Sequence, residues 1–222
     1  MIRAIVFDMD GVLLDSEPLH DRTNIEILKT YGIEADASVT DPFVGRTSEA
    51  LWTEMKAIYN LPDSVEELIA RQWSMNIKAL PASEIEASKG LEDILAYALE
   101  RGISLSVASS SRGDFVEAVF DYLNLWPFME AYTSGQEINH GKPAPDIYLL
   151  AARKIGVPAA ACLAIEDSTA GVRSAKKAGM VTVGYRNPTS QGQNVEIADY
   201  VVDCLSEVCE IIDHINSTEN KQ

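Results

Sequence analysis

Cysteine is scarce in this chain of 222 residues: Cys162, Cys204 and Cys209 are the only three, they cannot pair completely, and none stand in C-x-x-C spacing. A disulfide framework and a structural zinc site are thereby excluded, and the three thiols read as small apolar fillers. Basic residues are few as well. Eighteen Lys and Arg face 34 Asp and Glu, a net charge of -16 at pH 7, and such a surface repels polyanions. Neither nucleic acid nor an anionic membrane is an expected partner. No apolar run is long enough to span a bilayer, and no basic-then-apolar leader follows Met1; the expectation is a soluble, cytoplasmic protein. With 46% hydrophobic and 23% charged residues, the chain can build one sizeable core, or a core plus a small insertion. No extended apolar surface stripe calls for a partner, so a monomer is expected.

Short apolar runs are present, and they are evenly spread: Ala4–Phe7, Ser104–Ser109, Ala131–Ser134, Cys162–Ile165, Val181–Tyr185 and Tyr200–Val202. Between the later ones, residues 90–100, 112–123, 146–155 and 170–178 carry helical spacing, several closed by a glycine (Gly102, Gly156, Gly179). Strand alternating with helix predicts an α/β fold, a doubly wound, Rossmann-like parallel sheet covered on both faces. Residues 16–83 break that rhythm. They read as successive helices over 23–31, 48–59 and 65–80, with turns at Gly32 and at Leu61-Pro62-Asp63. The expected division is therefore a core of 1–15 and 84–213, an inserted all-helical cap domain of 16–83, and a frayed polar tail of 214–222.

In open α/β sheets ligands bind at the carboxyl ends of strands, so the strand-terminating residues matter most. The first run ends in Asp8-Met9-Asp10-Gly11, the second in Ser109, Ser110 and Ser111, and the fourth in Glu166-Asp167; Lys142 lies in "GQEINHGKPAPD" after the third. Singly, each has an ordinary explanation as a turn, a cap or a solvated charge. Together they put aspartates, hydroxyls, a lysine and an acidic pair on one rim. Phosphoryl transfer fits that set. Asp8, Asp167 and Glu166 would repel one another unless a hard divalent cation, Mg²⁺ being the natural candidate, sat among them. Lys142, the Ser109 hydroxyl and backbone N–H groups near Met9–Gly11 and at Ser110 could surround the phosphoryl oxygens. One aspartate of the Asp8–Asp10 pair would then be the nucleophile, splitting a hard displacement into two steps. The other would protonate the leaving alkoxide and later deprotonate water.

In order and spacing, "DMDGVLLDSEP", "ASSS", "GKPAPD" and "IEDSTAGVRSAKKAGM" resemble the four motifs of the haloacid dehalogenase superfamily, in the helical-cap branch that includes β-phosphoglucomutase and bacterial sugar-phosphate phosphatases. The resemblance implies that Asp8 is the nucleophile and a metal ligand, and that Asp10 is the general acid/base with its carbonyl on the metal. It implies that Ser109 and Lys142 bind phosphate, and that Asp167, with Glu166 nearby, completes the Mg²⁺ site. His20, Arg46 and Lys78 would be the cap residues that choose the substrate.

The leading expectation is a Mg²⁺-dependent phosphatase of small phosphorylated metabolites, above all sugar phosphates, working through an aspartyl-phosphate. A β-phosphoglucomutase-like mutase is the alternative; the mutase pattern carries a cap lysine where this chain has Gln72 and Trp73. A receiver-type signalling module is disfavoured by the helical insertion and by Asp10, and a non-catalytic binding protein by the intact set of acid, nucleophile, lysine and metal carboxylates.

Overall fold

The computed structural model describes residues 1–40, 47–190 and 192–219. The chain divides into two compact units, Met1–Asp15 with Glu86–Gln222, and Ser16–Ile85.

The first unit is built on a six-stranded sheet of β1 (Ala4–Phe7), β2 (Ser104–Ser109), β3 (Ala131–Ser134), β4 (Cys162–Glu166), β5 (Val181–Tyr185) and β6 (Tyr200–Val202). Every neighbouring pair is parallel, in the order β3-β2-β1-β4-β5-β6. This is the expected doubly wound sheet. All four residues of β1 are buried, as both faces of a parallel sheet must be. The chain starts in the middle, winds outward through β2 and β3, and returns to lay β4 on the other side of β1. The carboxyl ends of β1 and β4 therefore flank the point where the winding reverses, the usual place for a ligand.

Side-chain alternation gives each sheet face its own partner. Ala4, Val6, Ala108, Cys162 and Ala164 pack against α7 (Asp146–Lys154) and α8 (Thr169–Lys177) through Ile147, Tyr148, Ala151, Ala152 and Ala175. The small residues on this face let α7 approach the strands closely enough for Tyr148 to reach across to the end of β4. Elsewhere α5 (Leu91–Arg101) packs on β2 and on α9 (Glu207–Glu219), and α6 (Gly113–Tyr122) packs on β3.

The second unit contains α1 (Glu17–Thr30), α2 (Ala37–Thr40), α3 (Ser48–Tyr59) and α4 (Val65–Ala79). Its core gathers Ile27, Leu28, Leu51, Trp52, Met55, Leu61 and Leu68. Ser64 and Glu67 form a reciprocal capping box that starts α4.

Three helices depart from the reading of the sequence: α1 begins at Glu17, six residues before the stretch read as helical. The four-residue α2 is too short to show a period. The tail expected to fray from His214 is instead helical through Glu219. Val208 and Ile212 are buried on one side of α9, and Asn216 is tied to the start of the chain, accepting from the Ile2 N–H at 2.6 Å. A long-range bond of that kind leaves no local pattern. Among the described residues no helix is long and apolar enough to cross a membrane.

Candidate active site

β1 hands its ladder directly to the site, since the Asp8 N–H donates to the Ile165 carbonyl of β4 at 2.9 Å. The chain then turns sharply, with Leu13 N–H bonded to the Met9 carbonyl and Gly11 N–H to the Leu14 carbonyl, both at 2.8 Å. Gly11 has φ +81°, a left-handed conformation suited to glycine, and a Cβ there would stand 2.0 Å from Asp167 Oδ2. The turn sends the two aspartates to different partners.

Asp8 joins a buried charged knot. Lys142 Nζ lies 2.8 Å from Asp8 Oδ1 and 2.6 Å from Glu166 Oε1, and 5.3 Å from the centre of the Tyr148 ring. The Tyr148 hydroxyl donates to Glu166 Oε1 at 2.9 Å. The other oxygen, Oε2, accepts from the Ser168 N–H at 3.1 Å and the Ser168 hydroxyl at 2.9 Å. Ser168 also caps α8, taking the Gly171 N–H at 3.0 Å. Gly171 has to be small: a Cβ on it would sit 1.7 Å from Glu166 Oε1. Asp10 goes elsewhere, its Oδ2 accepting from Ser109 Oγ at 3.2 Å and Ser111 Oγ at 2.7 Å.

Asp167 completes the rim. Its Oδ2 accepts from the Ser190 hydroxyl, which in turn accepts from Asn187 Nδ2 at 3.0 Å. Among the described residues, Asp8, Glu166 and Asp167 offer carboxylate oxygens that all lie within 4.8 Å of one another, and the three residues are 7%, 0% and 6% exposed.

The electrostatics follow from that crowding. Burial, and then the Glu166 charge, push Asp8 well above the usual carboxylate range, against the pull of Lys142. Burial and Glu166 likewise raise Asp167 to about 7. Burial alone would weaken the Lys142 ammonium, but Asp8 and Glu166 outweigh it and hold the group above its ordinary value. Burial and then Glu166 keep the Tyr148 phenol neutral, its pKa well above ordinary. Three carboxylates around one ammonium are short of positive charge, and hard oxygen donors at this spacing suit a divalent cation such as Mg²⁺.

The sequence-predicted residues separate clearly. Asp8, Lys142, Glu166 and Asp167 come together, with Asp10 and Ser109 beside them. Glu166 stands in the acidic group, and its two oxygens accept from Lys142, Tyr148 and the N–H and hydroxyl of Ser168. Gly11 sits in the turn between the two aspartates' side chains and the rest of the loop. Its N–H is bonded to the Leu14 carbonyl, and its lack of a Cβ leaves room for Asp167. Ser110 is exposed, and its carbonyl packs against Gly135, where a Cβ would stand 2.4 Å away.

The helical unit holds His20 and Lys78. His20 is half-buried, with Nδ1 2.7 Å from Asn76 Nδ2 and its ring edge-on to Trp73 at 5.5 Å; Lys78 is exposed. Arg46 lies outside the described residues. Gln72 is buried, accepting from Trp52 Nε1 at 3.1 Å and donating to Asn24 Oδ1 at 2.8 Å. Sequence reasoning assigned no role to Ser111, Tyr148, Ser168, Asn187 or Ser190. Ser111 was visible as the third member of a hydroxyl run. Tyr148 reads as an ordinary core position of α7.

Residues 5–185 match the model of the haloacid dehalogenase-like hydrolases. The chain belongs to that family. It is 34% identical over 208 residues to the probable pseudouridine-5'-phosphatase of Drosophila melanogaster, covering 91% of this chain and 89% of that protein. Hexitol phosphatase B of Escherichia coli K12 is 30% identical over 215 residues, 93% of this chain and 94% of its own. Among solved structures, CbbY from Rhodobacter sphaeroides in complex with phosphate superposes with a TM-score of 0.84 at 26% identity, covering 94% of this chain and 96% of that one. With phosphatases among its relatives, this family member is an enzyme of the phosphoric monoester hydrolase class, as expected.

Proposed function

We infer that the protein hydrolyses small phosphorylated alcohols, sugar or polyol phosphates foremost, in a Mg²⁺-dependent reaction through an aspartyl-phosphate on Asp8. One observation carries the reading: two aspartates a single residue apart have wholly different surroundings, Asp8 at 2.8 Å from Lys142 and Asp10 between two hydroxyls. Separated environments are how two carboxylates take separate roles.

Asp8 attacks phosphorus, and Lys142, kept charged by Asp8 and Glu166, neutralises charge on the phosphoryl oxygens as the bond forms. Glu166, gripped by Tyr148 and Ser168, holds the ammonium in place. Asp10 gives a proton to the departing alkoxide, which is too basic to leave well without one, and later takes a proton from the water that opens the acyl phosphate. Asp8 and Asp167 would hold the metal ion together with the Asp10 carbonyl, and when bound it supplies positive charge against the substrate and the crowded carboxylates. His20, Lys78 and Arg46 of the helical insertion would select among substrates. The relatives named for a pseudouridine-5'-phosphatase and a hexitol phosphatase support a substrate of that size.

The test is a panel of phosphorylated sugars, polyols and nucleosides with Mg²⁺, read for released phosphate and for isomerised product. Phosphate release without isomerisation, abolished by chelator and restored by Mg²⁺, is expected. Isomerisation without release would assign a mutase, and no turnover of any phosphomonoester would refute the reading.

A further inference from the structure

Asp167 is held by a distant part of the chain. Its Oδ2 accepts from the hydroxyl of Ser190, in the loop between β5 and β6, and Ser190 Oγ accepts from Asn187 Nδ2 at 3.0 Å. The Asn187 amide also bonds the Asp167 carboxylate itself. Its orientation is fixed at the other end: Asn187 Oδ1 accepts from the Thr189 N–H at 3.2 Å and the Thr189 hydroxyl at 2.9 Å, which turns the NH₂ toward Ser190. The Ser190 N–H donates to the Asn187 carbonyl at 3.2 Å and closes the turn. Beyond it, Gln193 Oε1 accepts from the Thr169 N–H at 2.9 Å, and the Asn194 N–H donates to Thr169 Oγ1 at 2.6 Å. The loop is thereby fastened to the first residue of α8, just after Asp167. Gly11 leaves room for both groups from the other side, since a Cβ there would stand 2.0 Å from Asp167 Oδ2 and 3.1 Å from Asn187 Nδ2.

Asp167 needs such a hold. It is 6% exposed and grouped with Asp8 and Glu166, whose like charges favour turning its side chain away. The Lys142 ammonium spends its short contacts on Asp8 and Glu166; the hydrogen bonds on Asp167 come from neutral groups, Ser190 and Asn187. A hydroxyl and an amide fix the direction of a carboxylate without cancelling its charge, and an ion ligand requires both. We propose that Ser190 and Asn187 are the positioning residues of Asp167: they hold its carboxylate toward the ion site it shares with Asp8, and so set the affinity for the divalent cation. Both act through Asp167. The inference rests on the metal-dependent phosphatase reading.

The experiment titrates Mg²⁺ into the whole metal-free chain as wild type, Ser190→Ala, Ser190→Thr and Asn187→Ala, at one pH, and reads the dissociation constant by calorimetry. The Mg²⁺ concentration that half-saturates p-nitrophenyl phosphate turnover is read alongside. Each alanine variant should raise both values about 10-fold, the lower end of what the partners of a metal ligand contribute. Ser190→Thr, which keeps the hydroxyl, should stay close to wild type. Both values describe folded molecules only, so a partly unfolded preparation still decides the matter. A general loss of packing would instead lower kcat at saturating Mg²⁺ and leave the half-saturating concentration unchanged. That pattern, or a wild-type dissociation constant in either alanine variant, overturns the proposal. Wild-type protein that binds no Mg²⁺ and hydrolyses no phosphomonoester overturns the phosphatase reading instead, a failure seen before any variant is made.

Discussion

Both units bury a polar network, and the two networks are built differently. At the β1–β4 rim, Asp8, Lys142, Glu166 and Asp167 bury formal charges that do not balance, with Asp8 and Asp167 forced upward in pKa. In the helical unit, Trp52, Gln72 and Asn24 bury neutral groups whose donors and acceptors match within one chain of bonds. The neutral network specifies how α1, α3 and α4 pack. The charged one is short of positive charge, at a cost to the fold alone, and under the proposed function a divalent cation would supply what is missing.

The sharpest way to break the contrast is Lys142→Met. It leaves Asp8 and Glu166 buried without their cation, which for a buried pair costs about 3–5 kcal/mol, and it removes the charge facing the phosphoryl oxygens. Chemical denaturation should report the stability loss, and turnover should fall by ~10³-fold or more. A variant as stable and active as the parent would put the knot outside the chemistry.

Gly171→Ala comes next. Its methyl would collide with Glu166 inside a closed site, an overpacking that costs about 1–3 kcal/mol. Turnover should fall while the fold survives, checked by kinetics and thermal unfolding on the same preparation.

The third prediction concerns pH and metal. Asp167 titrates near 7 in the folded state and near its ordinary value of about 3.9 when unfolded. Between those values the folded state binds more protons, so stability falls as pH rises through the window. Metal-free protein should therefore lose thermal stability from about pH 4 to 7, and Mg²⁺ should flatten that slope. The same slope with and without Mg²⁺ would remove Asp167 from the metal site.

The smallest effect belongs to the neutral network. Gln72→Leu leaves Trp52 and Asn24 without a partner, a loss of about 1–3 kcal/mol, yet calorimetric Mg²⁺ affinity should stay within about 2-fold because no bond of the rim is touched. A large fall in affinity would mean that the two networks are coupled.

The same contrast explains what could be read from the sequence. All six strands appear as short, mostly apolar runs, and β4 extends only one residue beyond its run, to Glu166 at its carboxyl end. Asp8, Asp10 and Asp167 stood out because charge just after such a strand is conspicuous, and Lys142 because it sits in the loop that follows β3. Residues that act by holding others were not legible. Ser168 looks like a helix cap and Tyr148 like core, until the structure shows a hydroxyl on Glu166 and a phenol on the same carboxylate. Likewise Asn216 in the last turns of α9 bonds to Ile2, at the opposite end of the chain.

The central claim is that Asp8 itself takes the phosphoryl group. Brief reaction of the Asp10→Asn variant with a phosphoryl donor of good leaving ability, followed by acid quench, proteolysis and mass spectrometry, tests it most directly. The account predicts a phosphoryl adduct on the peptide carrying Asp8, labile to hydroxylamine and absent in Asp8→Asn. An adduct on any other residue, or turnover retained in Asp8→Asn, would contradict it.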